Sequence, residues 1–479
     1  MKARQIAYII WTVIALLGVI CLVVPDGGWH IGTWHLRFPT LAQALDMDTK
    51  QGDELSIMND SLLAELETLG VLPSDSVVAE DSLAVQDSIP PKAQPVIPEV
   101  NVSNTDSRAY LAAFYAALDS VRTMPVRVVH YGDSQIEEDR ITNVLRERWQ
   151  KAYGGGGVGL LPLHQTIPTR SMRQWLSMDG VVQTVQGGPK RYLVYGPRSM
   201  RLDNDEYGVM GQVAVMDSTL VAGSEDVVMC IEPIDKKRQG HNYFNRVRVL
   251  TDSVDGYILA QDTMLSPTPD TRHPLLYTLP DSTTKCEIHL QSKGKVYGVS
   301  LETPTGVIVD NIPMRGCSGN IFTKIDSTQL SDFYRETNTR LIILQFGGNM
   351  IPQTENASTI SGYVRSTLRQ QVRYLRACAP DAAILFIGPS DMSTNIDGQM
   401  STYPLVPYMD KLLKKMAAEE QIAYWSMYDA MGGKDSMVRW VENGLAGSDY
   451  VHFTRAGANK MGRMLYEWLM TYPDLLNSK

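Results

Sequence analysis

Val126-Arg127-Val128-Val129, followed by Gly132-Asp133-Ser134, is the stretch of sequence that decides the fold. The valines are typical of a β-strand, because β-branched side chains suit a pleated, half-buried surface. After the Gly-Asp-Ser turn, Ile141, Leu145 and Trp149 recur at helical spacing. A strand, a turn that carries a hydroxyl group and a helix form the opening of an α/β unit.

The carboxyl-terminal part of the chain continues this alternation. Apolar runs predict strands, and apolar residues at helical spacing predict helices. The predicted strands are 341–344, 383–386 and 422–425, and the predicted helices are 110–118, 363–378, 408–418 and about 456–469. Strands that alternate with helices predict a parallel sheet with both faces covered.

The region from 166 to 304 has a different pattern. Short runs rich in β-branched and aromatic residues alternate with turn residues, at 192–195, 211–215, 227–230, 246–249, 286–290 and 296–299. Closely spaced short strands without helical periodicity predict a β-sandwich. We therefore expect an all-β domain inserted into the α/β domain.

The composition is that of a folded, acidic protein. Of the 479 residues, 44% are hydrophobic and 20% are charged, and the formal net charge is −9. A negative charge argues against nucleic acid as a partner, because binding phosphates needs a basic surface. The five cysteines form no CxxC pair, and no cluster of ligating residues has metal-ligand spacing. We expect mostly buried thiols, no metal and no cofactor.

The amino terminus is typical of a membrane anchor. Lys2 and Arg4 precede an apolar stretch at 6–24, and about 20 apolar residues span a bilayer as a helix. The two cations favour a cytoplasmic amino terminus, with the rest of the chain in the periplasm or outside. A cleaved signal peptide has a shorter apolar region and small residues at its cleavage site, and Ile20 disfavours a lipoprotein site at Cys21. We expect a single-pass anchor in the inner membrane.

An acidic segment follows the anchor. Residues 46–101 are rich in Asp, Glu, Ser and Pro, and such segments bury too little apolar surface to fold alone. They predict an extended tether. The expected organisation is a stub and anchor at 1–25, a tether at 26–104, the first part of the α/β domain at 105–165, the inserted β-domain at 166–304 and the second part of the α/β domain at 305–479.

Ser134 is the candidate nucleophile. It follows a strand, so its hydroxyl is expected at the carboxyl edge of the sheet, where ligands bind in open α/β sheets. The segment Asp449-Tyr-Val-His452 precedes the last helix, and its short spacing lets the carboxylate orient the imidazole. Each motif alone is weak, because Asp133 or Ser134 could simply cap a helix and His452 could be a surface histidine. Together they predict a serine hydrolase with His452 as the base.

Gly132-Asp133-Ser134 and Asp449-x-x-His452 together resemble the sequence blocks of the GDSL/SGNH hydrolase family. The resemblance implies a flavodoxin-like, three-layer α/β fold and a triad of Ser134, Asp449 and His452. It also implies an oxyanion hole formed by the N–H of Ser134, a glycine N–H and the side chain of Asn349, which ends the block Phe346-Gly347-Gly348-Asn349. Met350 departs from the family pattern, which often has Asp there, and we expect Asn349 to keep its place.

The glycine of the oxyanion hole has two candidates. Gly316 follows the predicted strand 307–309 and precedes the asparagine block, as in the family, and is preferred. Gly154–Gly157 is then expected to form a flexible loop near the site, and no P-loop lysine follows it to favour phosphate binding. Asp391 and Trp440 are weaker candidates for the cleft, for which core packing is an equal alternative.

The β-rich insertion resembles the arrangement in periplasmic peptidoglycan O-acetylesterases, where a carbohydrate-binding-module-like β-domain interrupts the hydrolase domain. The resemblance implies an anchored esterase that removes O-acetyl groups from cell-wall glycan, with O-acetylated glycan as its partner. Three alternatives stay open: an acetylesterase for another polysaccharide, an O-acetyltransferase, and a non-catalytic glycan-binding protein. A lipase is disfavoured, since no apolar lid segment lies near Ser134.

Overall fold

The structure is a computed structural model that describes residues 29–31, 34–36, 97–101, 106–178, 181–183, 188–217, 226–234, 243–269 and 274–477. The chain divides into two compact units, 1–82 and 83–479. In the first unit, β1 (Trp29–Ile31) and β2 (Trp34–Leu36) form an antiparallel hairpin. No helix among the described residues is long and apolar enough to cross a membrane. The predicted anchor at 6–24 lies outside the described residues, so it stays a prediction.

The second unit opens with a helix, a strand and a second helix, in the order that the sequence predicts. A 3₁₀ helix (Ser107–Leu111), α1 (Ala112–Leu118), β3 (Pro125–Gly132), a 3₁₀ turn (Ser134–Asp139) and α2 (Thr142–Tyr153) follow one another. Phe114 of α1 and Trp149 of α2 pack edge to face, with ring centroids 5.7 Å apart. The two helices therefore cover the same face of the sheet to which β3 belongs.

A β-rich region follows, built from two antiparallel sheets of six strands. Its elements are β4 (Gly159–Leu161), β5 (Met172–Met178), β6 (Val181–Val182), β7 (Lys190–Leu193), a 3₁₀ turn (Arg198–Met200), β8 (Gln212–Met216), β9 (Val227–Pro233), β10 (Phe244–Thr251), β11 (Gly256–Ala260), β12 (Thr263–Leu265), β13 (Leu275–Thr283), β14 (Cys286–Leu290) and β15 (Gly294–Glu302). One sheet has the order β13-β10-β15-β8-β7, with β4 paired to β15, and the other has the order β12-β11-β14-β9-β5-β6. Alternate residues such as Val247 and Val249 are fully buried in the core that the sheets share. Because β4 pairs with β15, this region begins at Gly159, before the boundary at 166 that the sequence suggests.

The rest of the chain returns to alternating strands and helices. Its elements are β16 (Gly306–Pro313), a 3₁₀ turn (Phe322–Lys324), α3 (Ser327–Glu336), β17 (Thr339–Gln345), a 3₁₀ turn (Gly348–Met350), α4 (Ala357–Gly362), a π-helical segment (Tyr363–Leu368), α5 (Arg369–Cys378), β18 (Ala383–Ile387), β19 (Ser393–Ile396), β20 (Gln399–Thr402), α6 (Val406–Glu419), β21 (Ala423–Trp425), α7 (Met427–Met431), α8 (Ser436–Glu442) and α9 (Arg455–Asn477). The predicted helix at 363–378 thus starts earlier and carries a π-helical segment.

The five strands β16-β3-β17-β18-β21 form one parallel sheet, in that order. In chain order this is 2-1-3-4-5, the arrangement of flavodoxin-like folds. Neighbouring residues of a strand face opposite sides, so Val129 packs with α5 and α6 while Val128 packs with α1, α2 and α9. The prediction of a three-layer α/β fold with a parallel sheet is confirmed.

The strands β3, β16 and β17 end at the same level of the sheet. Gly132, the last residue of β3, lies opposite Pro313 of β16 and Gln345 of β17. The chain therefore leaves all three strands at one edge, between β3 and β17, where the strand order reverses. In open α/β sheets this is where ligands bind.

The four described cysteines, Cys230, Cys286, Cys317 and Cys378, are buried free thiols, as the sequence predicts. The fifth, Cys21, lies outside the described residues.

A buried ion network joins the parallel sheet to the β-rich region. Arg127 of β3 is fully buried and donates two hydrogen bonds to Asp310 of β16, at 2.7 and 2.9 Å. Its other terminal nitrogen bonds Glu302 and Ser300 of β15. Asp310 also accepts the backbone N–H of Leu160 in β4, at 2.8 Å. The network fixes both ends of the β-rich region on the first two strands of the sheet.

Replacing Asp310 by Ala should lower the free energy of unfolding by about 3–5 kcal/mol, since it leaves a buried guanidinium short of a partner. Asp332→Ala is the control, because Asp332 pairs with Arg335 on the surface and such pairs contribute about 0–1 kcal/mol. Urea denaturation followed by tryptophan fluorescence measures both. Equal losses in the two variants would contradict a structural role for the network.

Candidate active site

Ser134 begins the turn that follows β3. Asp133 caps this turn, accepting the backbone N–H of Gln135 at 3.0 Å. Gly132 before it leaves little room for a larger residue, because a Cβ there would lie 3.0 Å from the side chain of Ile136 and 3.3 Å from that of Gln345. The nucleophile candidate therefore leaves the strand in a tightly packed turn, with its hydroxyl at the edge of the sheet.

His452 and Asp449 complete a chain of hydrogen bonds from Ser134. The Ser134 Oγ and His452 Nε2 atoms are 2.7 Å apart, and His452 Nδ1 lies 2.6 Å from Asp449 Oδ2. An imidazole with its proton on Nδ1 satisfies both contacts, donating to Asp449 and accepting the Ser134 hydroxyl. The structure thus brings the three predicted catalytic side chains into the geometry of a serine hydrolase triad.

The loop that carries His452 is held by its own carboxylate and by the nucleophile's turn. Asp449 Oδ1 accepts the backbone N–H groups of Val451 and His452, both at 3.0 Å. Partial burial raises the pKa of Asp449, but the hydrogen bond and charge of His452 and these N–H groups outweigh it and lower the pKa to about 2. Gln135 donates to the carbonyl of Val451 at 2.6 Å. The residue next to the nucleophile therefore positions the loop of the base.

Asn349 lies beside the same turn, at the end of β17. Gly347 before it has φ +115°, a left-handed conformation that favours glycine. The Asn349 amide donates to Asp133 Oδ2 at 3.3 Å and to the carbonyl of Cys317 at 3.1 Å. An oxyanion formed at Ser134 would compete with these two acceptors for the amide hydrogens. Asn349 thus lines the same pocket as Ser134 and stays a predicted oxyanion donor.

Gly316 lies in the loop that follows β16. Its φ is +70°, and the space beside its Cα is open. Its neighbours contact the site: Arg315 Nε donates to Glu137 at 2.8 Å, and the carbonyl of Cys317 accepts from Asn349. The loop therefore borders the turn of Ser134, and Gly316 itself stays a predicted oxyanion donor.

The expectation that Gly154–Gly157 forms a flexible loop near the site is wrong. These residues follow α2 and lie at the amino-terminal ends of the strands, opposite to Ser134. The carbonyl of Gly154 accepts the N–H of Val307, the second residue of β16, at 2.9 Å. A Cβ on Gly155 would lie 2.5 Å from the carbonyl oxygen of Val307. The glycines are needed for this close backbone packing.

A small pocket of about 90 Å³ opens at the Ser134 hydroxyl. Its walls come from the ends of the strands and from the His452 loop, and include Asp133, Gln135, Gln345, Phe346, Gly348, Asn349, Pro352, Gly388, Pro389, Ser390, Met392, Met427 and Val451. Asp391 and Trp440 are buried in the core instead. Asp391 accepts hydrogen bonds from Thr402, Ser436 and the N–H of Met437. No group of side chains in the described part of the chain could hold a metal ion.

The sequence model of the GDSL-like lipase/acylhydrolase family matches residues 281–460. This match contains Asn349, Asp449 and His452, and Ser134 lies before it. The chain carries a GDSL-like lipase/acylhydrolase domain. The family that the sequence blocks indicate is therefore confirmed.

One solved structure supports the fold of this acylhydrolase, and two others are similar over a third of the chain. The structure of a peptidoglycan O-acetylesterase matches 78% of the chain over 99% of its own length, with a TM-score of 0.59 and 20% sequence identity. An acetyl xylan esterase matches 34% of the chain, over 80% of its own length, with a TM-score of 0.25 and 11% identity. The periplasmic domain of a lipopolysaccharide acetyltransferase from Salmonella ser. Paratyphi A matches 33%, over 69% of its own length, with a TM-score of 0.22 and 14% identity. No curated protein sequence matches the chain significantly.

Several residues that shape the acylhydrolase site carry no signal in the sequence. Gln135 holds the loop of the base, and Glu137 pairs with Arg315 across the site. Ser390 lines the pocket and accepts from Gln135 at 3.3 Å. Their partners are more than 170 residues away. No local spacing could have indicated these contacts.

Asp133 is a buried carboxyl group between the nucleophile and Asn349. Burial is the main cause that raises its pKa to about 6, against the opposing N–H of Gln135 and the charge of His452. Since the folded pKa exceeds the unfolded value of 3.8, the unfolded state releases this proton first as the pH rises. Ionised Asp133 therefore reduces the stability of the folded protein at neutral pH.

Asp133→Asn should remove this pH dependence. Between pH 4 and pH 7, the free energy of unfolding of the wild type should fall relative to that of the variant, by about 3 kcal/mol in total. Asparagine also places an amide against that of Asn349, which adds an offset that does not change with pH. Urea denaturation at intervals of pH measures the difference, and Asp332→Asn provides the baseline. Parallel curves for wild type and Asp133→Asn would show that Asp133 has an ordinary pKa.

Proposed function

We propose that the protein is a membrane-anchored serine esterase that removes O-acetyl groups from cell-wall glycan through an acyl-enzyme on Ser134. The anchor is the stretch 6–24, and the catalytic domain lies in the periplasm or outside. The inserted β-rich region is a candidate carbohydrate-binding domain. The observation that carries the proposal is the hydrogen-bonded chain of Ser134, His452 and Asp449 at the mouth of a small pocket.

The geometry gives each residue a role in acyl transfer. His452 Nε2 takes the proton of the Ser134 hydroxyl as Oγ attacks the ester carbonyl carbon. The N–H of Ser134, the amide of Asn349 and the N–H of Gly316 are the proposed donors to the oxyanion, and one such donor contributes about 2.7–4 kcal/mol in a related system. Asp449 keeps the imidazole in the tautomer that accepts this proton.

Collapse of the intermediate passes the same proton from His452 to the alcohol oxygen, which leaves as a free sugar hydroxyl. Acetyl-Ser134 remains. A water molecule then attacks this ester while His452 takes a proton from it. Collapse of the second intermediate returns the proton to Ser134 Oγ and releases acetic acid, which ionises in solution. No group other than water is consumed.

The size of the pocket supports a short acyl group. The pocket volume of about 90 Å³ is below the roughly 300–1,000 Å³ of pockets for drug-sized ligands. An acetyl group has three heavy atoms and suits a pocket of this size. The pocket is lined in part by apolar side chains, among them Phe346, Met392 and Met427. The methyl group of an acetyl ester suits such walls.

Release of acetate tests the proposal. The purified full-length chain, in a neutral detergent because of the predicted anchor, is incubated with O-acetylated peptidoglycan and with a small aryl acetate. We expect acetate from both, and none above background with Ser134→Ala. Asp449→Asn should lower kcat by about 10²–10⁴-fold, the range of general acid–base catalysis.

Asp429→Asn is the matched control, since it removes the same charge from an exposed aspartate of α7 and should leave kcat unchanged. Hydrolysis of the aryl acetate but not of O-acetylated peptidoglycan would indicate an esterase that acts on another polysaccharide. Release that requires a sugar acceptor would favour acetyl transfer. If no ester released acetate in a Ser134-dependent manner, the proposal that the protein is an esterase would be overturned.

A further inference from the structure

Three arginines lie near the segments that carry Ser134 and His452. Arg140 follows the nucleophile's turn, Arg170 comes from the segment between β4 and β5, and Arg455 begins α9. We call these three residues the arginine rim. Glu138 brings Arg140 and Arg170 together, and the charge of Arg455 acts on Arg170.

Glu138 holds two of the three arginines. Arg140 Nη2 donates to Glu138 Oε1 at 2.7 Å, and Arg170 Nη2 and Nε donate to Oε2 at 3.1 and 3.2 Å. The backbone N–H of Arg170 also donates to the carbonyl of Glu138 at 3.0 Å. These contacts bring a residue of the β-rich region against the nucleophile's turn.

The backbone that presents Glu138 is strained. Glu138 and the following Asp139 have φ values of +57° and +62°, a left-handed conformation that costs a side-chain-bearing residue about 1–3 kcal/mol. Arg146 Nη2 donates a hydrogen bond to Asp139 Oδ1 at 3.2 Å. The Ser171 hydroxyl also donates to the Asp139 carboxylate. Strain of this kind is found at functional sites, where the surrounding structure maintains it.

The positive charge of the rim exceeds the negative charge that faces it. Glu138 pairs with two of the three guanidinium groups, and Asp449 is engaged by His452. Burial, together with the charges of Arg140 and Arg455, lowers the pKa of the Arg170 guanidinium although Glu138 opposes the shift. Arg455 is exposed, and its side chain makes no hydrogen bond or ion pair with any residue that the structure describes. It also lies at the positive end of the α9 dipole, where a cation is unfavourable, so the stability of the helix does not account for it.

Arg455 lies near the leaving alcohol. His452 must reach the alcohol oxygen to protonate it, so the sugar lies next to His452. Arg455 is three residues further along the chain, within about 11 Å. Groups on the sugar are therefore within reach of Arg455, whose charge also acts on Arg170.

We propose that the arginine rim binds a carboxylate on the sugar part of the ester, so that the preferred substrate is an acidic, O-acetylated glycan. This inference rests on the proposed function and names its substrate class. A planar guanidinium pairs with a carboxylate through two parallel hydrogen bonds. Arg455 supplies the exposed guanidinium group that pairs with the carboxylate. Arg140 and Arg170 add to the positive electrostatic potential around it. Because Arg170 belongs to the β-rich insertion, the insertion contributes to the choice of substrate.

A matched pair of sugars tests this proposal. The mono-O-acetyl esters of methyl glucuronoside and methyl glucoside differ by one carboxylate, and the readout is the ratio of their kcat/KM values. In the wild type the ratio should favour the glucuronoside. In Arg455→Ala the ratio should fall by about 5- to 20-fold, the loss expected for a partly exposed charge-assisted pair. In Arg455→Lys the ratio should fall less.

Arg463→Ala is the control, because Arg463 is exposed on the same helix, about 12 Å further along, beyond the Debye length at physiological salt. An unchanged ratio in Arg455→Ala would overturn the proposal, as would an equal fall in Arg463→Ala. Binding of both sugars to Ser134→Ala, measured by calorimetry, gives the same comparison without turnover. The arginine rim can therefore be judged even if the esterase itself is not confirmed.

Discussion

Strand β3 pairs with β16 on one side and with β17 on the other, and its eight residues position the whole site. All three strands are parallel and end level with Gly132. Ser134, the Gly316 loop and Asn349 therefore emerge at the same edge, each within a few residues of a fixed strand end. The loop of His452 then has to reach this edge. It is held there by the side chain of Gln135, which belongs to the nucleophile's own turn.

The same strand also connects the site to the β-rich insertion. Arg127 lies within β3 and bonds Asp310 and Glu302, so the first and last strands of the insertion are tied to the sheet beneath the site. At the edge of the sheet, Arg170 and Ser171 bond the turn that follows Ser134. The insertion is thus attached below and beside the nucleophile. This double attachment holds the insertion against the turn that carries the nucleophile.

The sequence predicts those features that a local pattern encodes. Alternating strands and helices predict the parallel sheet, and the blocks around Ser134, Asn349 and His452 predict side chains that the structure places around one pocket. Contacts such as Glu137–Arg315 and Arg127–Asp310 join residues that share no local pattern, so they appear only once the sheet has formed. The prediction that Gly154–Gly157 lies near the site is wrong for a related reason. A glycine run indicates close backbone packing or a loop, and only the topology shows that it lies at the far edge.

The central claim is that the hydroxyl of Ser134 is the nucleophile and that His452 activates it. Labelling with a fluorophosphonate probe, followed by peptide mass spectrometry, tests it most directly. This reagent phosphonylates an activated serine, with loss of fluoride, and does not require a particular sugar. We expect one adduct, on the peptide that contains Ser134, and its loss in His452→Ala. Modification of another serine, or equal labelling of Ser134 in His452→Ala, would contradict the account.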